Sequence, residues 1–475
     1  MCAYREATAA SLRETLRLGV TGPCCGSQAH DPGKRLEFQA LSEYGSCGTG
    51  PEERDGLFRP RVLSGGLDRG ASTMVLVHGA YNASNLLAGT FLSIFLWRAS
   101  HDLTPIGVYS GLSALMIPVL FVANGLVWRR IGAGASIRLG LFGNGFSYLL
   151  ILVLGSNAPH WVVLLGLVRG ISEGFYWSGY HLVSYDTTSD RDRDRYFGAH
   201  ATASFLLTAT LPPAAGAIIV AGTQLGGTDR GYQLVFALSA VVLMAAVVLA
   251  GQLPSSARQR LSLRRVATLA RRNPDWRWVT RARLADGFTG SLIGLVLTIL
   301  MFLVLKNEQQ VGNFNGLMGL LGVGISLGLA AFMKPQHRIV CALVGGALLV
   351  LSTFLLPLYL TAWAIVGFGL LRAIGGPLHG NALAPVALQV IDRDPTPRAM
   401  RYDYIVHQEL CLGIGRVLSI GCFLLLAAPM NQMLLARIVV VVAGAAPILI
   451  WAAFARIPQL TPVADADNRA LPAVA

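Results

Sequence analysis

Residues 166–195 read GLVRGISEGFYWSGYHLVSYDTTSDRDRDR, and the rest of the chain is organised around them. The stretch is apolar enough to cross a membrane, yet it carries Arg169, Glu173 and His181. A charged side chain at the centre of a bilayer costs about 2.5–3.5 kcal/mol on insertion scales, so such a residue usually marks a functional site. The stretch therefore predicts a membrane-spanning helix that lines a pathway and ends in a run of alternating Asp and Arg.

Helical spacing places four polar or aromatic side chains of this stretch on one face. Arg169, Glu173, Trp177 and Tyr180 follow one another at i, i+4, i+8 and i+11. Aromatic rings beside charged groups form a mixed apolar and polar pocket, and a tryptophan face can hold a cation. We interpret these residues as a substrate or proton site. The alternative is a structural ion pair that lets Arg169 and Glu173 cross the bilayer together.

The composition is that of a polytopic all-α membrane protein. Hydrophobic residues make up 53% of the 475 residues and charged residues only 13%, with a mean hydropathy of +0.55. A soluble domain carries about 25% charged residues. The apolar residues come in blocks of about 20, the length that crosses roughly 30 Å of hydrocarbon.

Twelve such blocks follow a polar, Gly-rich tail. We predict membrane spans near residues 73–97, 104–128, 135–155, 160–184, 196–221, 231–252, 284–305, 311–333, 338–357, 360–391, 403–427 and 433–455. The domain organisation is then a disordered N-terminal tail (1–72), a six-helix half (73–252), a basic central loop (253–283), a second six-helix half (284–456) and a C-terminal tail (457–475). Residues 369–374, GLLRAI, repeat residues 166–171, GLVRGI, in the second half.

The net charge of +13 belongs to the loops and not to a nucleic-acid surface. Arg residues cluster in alternate loops and in the central loop, whereas the remaining loops hold only Arg98, Arg230 and Lys306. Basic residues mark the cytoplasmic side, so we expect both termini inside, in the plasma membrane of a bacterium (the inner membrane). Within the central loop, residues 261–272 predict a basic amphipathic helix on the inner membrane surface. The lipid bilayer is therefore the expected partner, and nucleic acid is not.

This layout, with a repeat across two six-helix halves, resembles the major facilitator superfamily. The loop after the second span, residues 125–134, reads Gly-Leu-Val-Trp-Arg-Arg-Ile-Gly-Ala-Gly, against the family's Gly-x-Leu-x-Asp-Arg-x-Gly-Arg-Lys. Gly125, Arg130 and Gly132 match, whereas Arg129 stands in the place of the Asp. In the family that Asp is implied to latch the halves in the outward-facing state, so this chain lacks the usual latch.

The resemblance implies a transporter whose first, fourth, seventh and tenth spans line a central cavity. In the fifth span, Pro213 and Gly216 match part of the family's antiporter motif, Gly-Pro-x-x-Gly-Gly. The flanking glycines are absent, and the alternative is a Pro kink that small neighbours accommodate.

Further candidates for the substrate or proton pathway lie in three other spans. They are Asn82 in the first span, Arg372, His379 and Asn381 in the tenth, and Glu409 and Arg416 in the eleventh. Between Arg372 and His379, residues 375–377 read Gly-Gly-Pro. This sequence predicts a broken helix at a binding site, with a packing kink as the alternative.

The Asp and Arg runs after the fourth and tenth spans predict the salt bridges of a cytoplasmic gate, which break and re-form as the halves rock. We assign to this gate Arg129, Arg130, Asp186, Arg195, Asp392 and Arg401.

No phosphate loop, nucleophile motif or metal-ligand spacing occurs, so we expect neither an enzyme nor a cofactor or metal. Three Arg residues against two Glu residues in the candidate spans favour a small organic anion or zwitterion with an apolar part. We therefore predict a monomeric secondary active transporter that works by alternating access and is coupled to protons. The alternative is a non-transporting sensor or assembly partner with the same fold. A third possibility, an intramembrane enzyme, would need a paired nucleophile and base.

Overall fold

A computed structural model of the chain describes residues 67–127, 131–188, 193–254, 261–333, 337–394, 397–427 and 429–458. Every regular element within these ranges is a helix. This confirms the all-α prediction. Residues 1–66 and 459–475, which make up most of the two tails, lie outside the described ranges.

The first half contains six spans, numbered here as in the sequence. Span 1 consists of three consecutive segments, Arg69–Ser84, a π-helical turn Asn85–Gly89 and Thr90–Ser100. The others are span 2 (Thr104–Leu126), span 3 (Ala133–Leu154), span 4 (Val162–Asp186), span 5 (Arg193–Gly226) and span 6 (Thr228–Leu249). Short 3-10 turns, Gly155–Trp161 and Ala250–Gln252, follow spans 3 and 6.

The second half repeats this series after a short helix, Leu263–Arg272, which we call the linker helix. Its spans are span 7 (Pro274–Leu305), span 8 (Glu308–Phe332), span 9 (Arg338–Tyr359), span 10 (Ala362–Asp392), span 11 (Pro397–Ala427) and span 12 (Gln432–Ala443 with Ala446–Phe454). Span 7 begins at Pro274 and not near residue 284, because Asn273 caps its first turn by accepting from the N–H groups of Asp275 and Trp276.

The two halves pack in the same way, which confirms the prediction of six plus six. In the first half, span 4 packs on spans 2 and 3, and span 6 packs on spans 1, 3 and 5. In the second half, span 10 packs on spans 8 and 9, and span 12 packs on spans 7, 9 and 11. Between the halves, the largest contacts join span 2 to span 11 and span 5 to span 8. These two seams are related by the same repeat.

The outer surface of the bundle suits a lipid environment. Nine helical stretches of the described residues are long and apolar enough to cross a membrane, and one of them, Ala133–Asp186, contains both span 3 and span 4. Together they cover ten spans. Spans 1 and 10 are of similar length but carry more polar residues. Val153, Leu225 and Phe332 are 78%, 82% and 84% exposed on the outside, as expected of side chains that face lipid.

The two ends of the bundle are called here the basic end and the opposite end. The basic end carries the linker helix, which Asp403 of span 11 holds in place. Asp403 is 1% exposed, pairs with Arg265 at 2.7 Å and accepts from the backbone N–H of Ser262 at 3.0 Å. The opposite end is where spans 1 and 7 finish, at His101 and Lys306.

Span 10 corrects one expectation. Its helix, Ala362–Asp392, is unbroken at the Gly-Gly-Pro sequence, so the prediction of an unwound turn there is wrong. Gly375 serves close packing instead: a Cβ there would lie 2.8 Å from the carbonyl oxygen of Gly345 on span 9. The glycine allows the two backbones to approach, which is the common use of small residues between membrane helices.

We therefore expect Gly375→Leu to lower the free energy of unfolding by about 1–3 kcal/mol, because the new side chain must push spans 9 and 10 apart. The neighbouring Gly376 has no atom within 4 Å of the position of a Cβ, so Gly376→Leu is the matched control. Unfolding of both variants by SDS in mixed micelles measures the difference. Equal stability of the two variants would contradict the packing role.

Candidate functional site

The centre of the site is the buried carboxylate of Glu173 on span 4. The hydroxyl of Tyr81 on span 1 donates to its Oε2 at 2.5 Å, and Trp177 Nε1 donates to the same oxygen at 2.7 Å. Arg169 Nη2 pairs with its Oε1 at 2.8 Å. The helical spacing of span 4 explains why Arg169, Glu173 and Trp177 meet, and the packing of span 1 on span 4 brings in Tyr81.

Arg169 is held by span 1 as well. Its Nη2 donates to Asn85 Oδ1 at 2.5 Å, and its guanidinium lies 5.3 Å from the ring centre of Tyr148. Asn85 is the first residue of the π-helical turn Asn85–Gly89. Such turns widen a helix locally and are frequent at functional sites.

Tyr81, Asn85, Tyr148, Arg169 and Glu173 form one wall of a cavity of about 360 Å³ between the halves. Tyrosine, serine and aliphatic side chains of spans 1 and 2 line most of it, and Arg416 of span 11 closes it from the second half. Arg169, Arg416 and Glu173 are the charged residues of its lining, which gives the cavity a formal charge of +1. Glu173 is its one carboxylate. The volume and the mixture of apolar and polar groups are typical of a small-molecule site.

Arg416 is only loosely paired in this structure. Its Nη1 lies 3.7 Å from Glu409 Oε2, and Glu409 is 6% exposed and not part of the cavity lining. The predicted face shared by these two residues therefore exists, but only Arg416 reaches the cavity.

The structure does not bring the other candidates of the second half to this cavity. Arg372 stacks its guanidinium 5.4 Å from the ring centre of Phe368, and no carboxylate among the described residues pairs with it. His379 Nδ1 is 3.0 Å from the carbonyl oxygen of Ala342. Asn381 donates to Ser326 at 3.1 Å.

Three candidates of the first half lie beside the cavity and not in its lining. Asn82 donates to Ser204 of span 5 at 3.1 Å, so Asn85, one turn further along span 1, takes the place expected for Asn82. Trp177 contacts two lining residues, donating to Glu173 and lying with its ring centre 5.7 Å from that of Tyr81. The Tyr180 hydroxyl is 3.5 Å from His200 Nε2, on the side of Glu173 that faces the basic end.

At the basic end, one ion pair joins two of the predicted gate residues across the halves. Asp186 of span 4 pairs with Arg401 of span 11, and the Arg401 guanidinium lies 5.1 Å from the ring centre of Tyr185. Beside them, the Tyr402 hydroxyl donates to the carbonyl oxygen of Phe121 at 2.9 Å. Asp392 is the last residue of the span 10 helix. The predicted gate residues Arg129 and Arg130, and the side chain of Arg195, lie outside the described part of the chain.

The opposite end has a contact that sequence reasoning missed. Glu308, the first residue of span 8, is 6% exposed, pairs with Arg98 of span 1 at 2.9 Å and accepts from the Tyr232 hydroxyl at 2.7 Å. We call these three residues the opposite-end latch. Two of them, Arg98 and Tyr232, line a second cavity of about 590 Å³, which Trp97 and Phe302 also line.

Asp102, in the turn between spans 1 and 2, adds a further link at this end. The side-chain amide of Gln432 donates to its Oδ1 at 2.7 Å, and the backbone N–H of Thr104 donates at 2.8 Å. Burial alone would raise the pKa of Asp102, but these hydrogen bonds stabilise the carboxylate more, so its pKa is lowered. Asp102 therefore remains a charged link between the halves at neutral pH.

Sequence reasoning also missed Tyr81, because a tyrosine in an apolar span looks like a core residue. The useful signal was the register of span 1, in which His78, Tyr81 and Asn85 recur at i, i+3 and i+7 on one helix face. Within the described residues, no group of three His, Cys, Asp or Glu side chains could hold a metal ion.

Comparisons with known proteins agree with this architecture. A family model described as Major Facilitator Superfamily matches residues 73–402. The uncharacterized protein YqgE of Bacillus subtilis (strain 168) is 27% identical over 375 residues, which are 77% of this chain and 84% of that protein. Among solved structures, the nucleoside transporter NupG is similar over 82% of this chain and 98% of its own, with a TM-score of 0.56 and 12% identity. The human organic anion transporter MFSD10 (TETRAN) matches 82% of this chain and 100% of its own, with a TM-score of 0.57 and 14% identity.

Proposed function

Because the chain belongs to the Major Facilitator Superfamily and is a membrane transporter and not an enzyme, we propose that it moves a small organic anion or zwitterion by proton-coupled alternating access. The observation that carries this proposal is the cavity between the halves, whose lining contains one buried carboxylate, Glu173, and two arginines, Arg169 and Arg416. The basic end is assigned to the cytoplasmic side of the plasma membrane, following the distribution of Arg residues.

The substrate class follows from the charges of the cavity. Arg169 is already paired with Glu173 at 2.8 Å, whereas the one carboxylate that pairs with Arg416 among the described residues, Glu409, is 3.7 Å away. An incoming carboxylate can pair with Arg416 in two parallel hydrogen bonds, a geometry that suits guanidinium. The tyrosine and aliphatic lining then takes the apolar part of the substrate, and the nearby Glu173 accepts an ammonium group if the substrate has one.

Proton coupling is assigned to Glu173. Its neighbours Tyr81 and Trp177 are neutral donors that can also satisfy a protonated carboxyl group after a small rearrangement, and Arg169 has a second acceptor in Asn85. A carboxylate that can exist in both protonation states beside the substrate links proton binding to substrate binding. The sequence contains no phosphate loop, so it gives no indication that ATP hydrolysis drives transport.

We propose that the ion pairs at the two ends control which end of the bundle is open during alternating access. Asp186 and Arg401 join the halves at the basic end, and Arg98 and Glu308 join them at the opposite end. Rocking of the halves about the cavity would break one pair while the other remains.

The test is uptake into proteoliposomes under an imposed inward proton gradient. The panel is benzoate, phenylalanine, uridine and tetraphenylphosphonium, which represent an anion, a zwitterion, a neutral nucleoside and a cation. The proposal predicts accumulation of benzoate or phenylalanine that a protonophore abolishes. Accumulation of tetraphenylphosphonium alone, or uptake that the protonophore leaves unchanged, would contradict it.

Arg416→Gln is expected to weaken the binding of benzoate and phenylalanine by about 30-fold or more, since loss of one partner of a buried charge pair costs about 2 kcal/mol or more. Arg372→Gln is the matched control, because Arg372 lies in the same half but not in the cavity lining. Equilibrium binding of the tritiated compounds to purified protein measures both. Equal losses in the two variants would argue against a carboxylate at Arg416.

A further inference from the structure

Between Glu173 and the basic end, the first half contains a continuous group of polar rings. We call it the His–Tyr cluster, and its members are His78, Tyr81, Tyr176, Tyr180, Tyr196 and His200. All six are 9% exposed or less, although they come from spans 1, 4 and 5 of a bundle whose surroundings are apolar. Polar groups are costly inside a membrane protein unless they are paired, and a whole row of them needs an explanation.

Contacts connect the cluster to Glu173. The Tyr81 hydroxyl donates to Glu173 at 2.5 Å, and the rings of Tyr81 and Tyr176 stack with their centres 3.9 Å apart. The Tyr176 hydroxyl is 2.7 Å from His78 Nδ1. The carboxylate is thus the first member of a row of groups that can each give and accept a proton.

The row continues to the basic end through the second histidine. The ring centres of His78 and His200 are 4.3 Å apart, and His200 Nε2 is 3.5 Å from the Tyr180 hydroxyl. Tyr196 lies 5.2 Å from His200 between ring centres, and its hydroxyl is 2.8 Å from Ser184 Oγ. Ser184 lies in the last turn of span 4, about 16 Å along the helix axis from Glu173.

Span 10, the counterpart of span 4, does not repeat this row. Alignment of the repeat 166–171 with 369–374 places Gly376 opposite Glu173, His379 opposite Tyr176 and Leu383 opposite Tyr180. The repeat keeps the arginine, at Arg372, but not the carboxylate or the tyrosines. A purely structural use of buried aromatics would not require the cluster to begin at the one carboxylate of the cavity.

We propose that the His–Tyr cluster is the route by which protons pass between Glu173 and the basic end of the bundle. This inference rests on the proposed function, because it assumes that Glu173 releases a proton during transport. Tyr81 belongs both to the cavity lining and to the cluster, whereas the other five members of the cluster lie outside the lining, so substrate and proton need share only Glu173 and Tyr81.

Each step exchanges one proton for another. Tyr81 takes a proton from protonated Glu173 as it releases its own toward Tyr176, and Tyr176 passes one to His78 Nδ1 while His78 releases one from Nε2. His200, Tyr180 and Tyr196 repeat the exchange. One proton leaves Glu173 and one appears at the basic end, and each hydroxyl and imidazole must then reorient before a second proton can pass, because its own proton has moved from one side of the group to the other.

Other charged groups surround the row without joining it. Arg169 pairs with Glu173 at the start. His181 lies 5.4 Å from Tyr180 between ring centres, and it interacts electrostatically with Arg283 of span 7 and with His78 of the cluster. Among the described contacts His181 makes no hydrogen bond to the cluster, which makes it a control position on the same helix.

The test separates proton movement from substrate exchange. Proteoliposomes containing wild type, His78→Gln, His200→Gln or the control His181→Gln would be loaded with pyranine to record internal pH during uptake of benzoate and phenylalanine. Exchange of tritiated for unlabelled substrate, without any gradient, measures binding and rocking alone. Tyr176→Phe, which removes one hydroxyl and keeps the stacked ring, serves as a conservative variant.

The proposal predicts that substrate-driven proton movement falls about 100-fold in His78→Gln, His200→Gln and Tyr176→Phe, while exchange stays within about twofold of wild type and His181→Gln behaves as wild type. Wild-type proton movement in Tyr176→Phe, or in both cluster histidine variants, would overturn the route and leave the proposed function intact. Substrate uptake by wild type without any proton movement would overturn the coupling and the route together.

Discussion

Arg169→Met is expected to lower the free energy of unfolding by about 3–5 kcal/mol, because it leaves the carboxylate of Glu173 buried without its cation. Glu173 is 6% exposed, and its remaining partners, Tyr81 and Trp177, are neutral. The side chain of Met keeps most of the volume of Arg, so the effect reports the charge and not a cavity. Unfolding by SDS in mixed micelles is the measurement.

The double variant Arg169→Met/Glu173→Met is the control for this expectation. Removing both charges leaves no unpaired ion, so most of the lost stability should return. A double variant as unstable as the single one would show that Arg169 acts through its packing on Tyr148 and its bond to Asn85, and not through Glu173.

Arg98→Met has the second large expected effect. We expect it to lower the free energy of unfolding by about 3 kcal/mol and also to destabilise the closed state of the opposite end. Glu308 would keep the Tyr232 hydroxyl at 2.7 Å but lose the cation at 2.9 Å. Since Arg98 and Glu308 belong to different halves, the variant should also spend more time open at this end. Labelling of a cysteine placed at Ser156, in the adjoining cavity, measures that opening.

Arg230→Met is the matched control for the latch, because Arg230 lies at the same end on span 6 and forms no ion pair with Glu308. Faster labelling in Arg98→Met than in wild type and Arg230→Met is the expected order. Identical labelling rates would show that the latch does not hold the opposite end closed.

The fold could be predicted because it depends on local properties. The length of each apolar block, the alternation of basic loops and the repeat at residues 166–171 and 369–374 are all visible along the chain. The contact of Arg169 with Glu173 belongs to the same class, since a spacing of four residues places both on one face of span 4.

The rest of the site depends on which spans meet, and helical periodicity does not contain that information. Asn85 rather than Asn82 reaches Arg169, and a π-helical turn, which no residue type predicts, begins at Asn85. The latch joins Arg98 to Glu308 across more than two hundred residues. The role of Gly375 also depends on which spans meet. The sequence predicts that it breaks the helix, whereas in the structure it allows the close approach of span 9.

The central claim is that Glu173 carries the proton that drives transport. The most direct measurement is internal pH, recorded with pyranine, during uptake of benzoate and phenylalanine by proteoliposomes containing wild type or Glu173→Gln, with folding of both checked by thermal unfolding. We predict substrate-dependent proton movement in wild type and none in Glu173→Gln, while gradient-free exchange of the same substrate continues. Proton movement of wild-type size in a folded Glu173→Gln protein would contradict it.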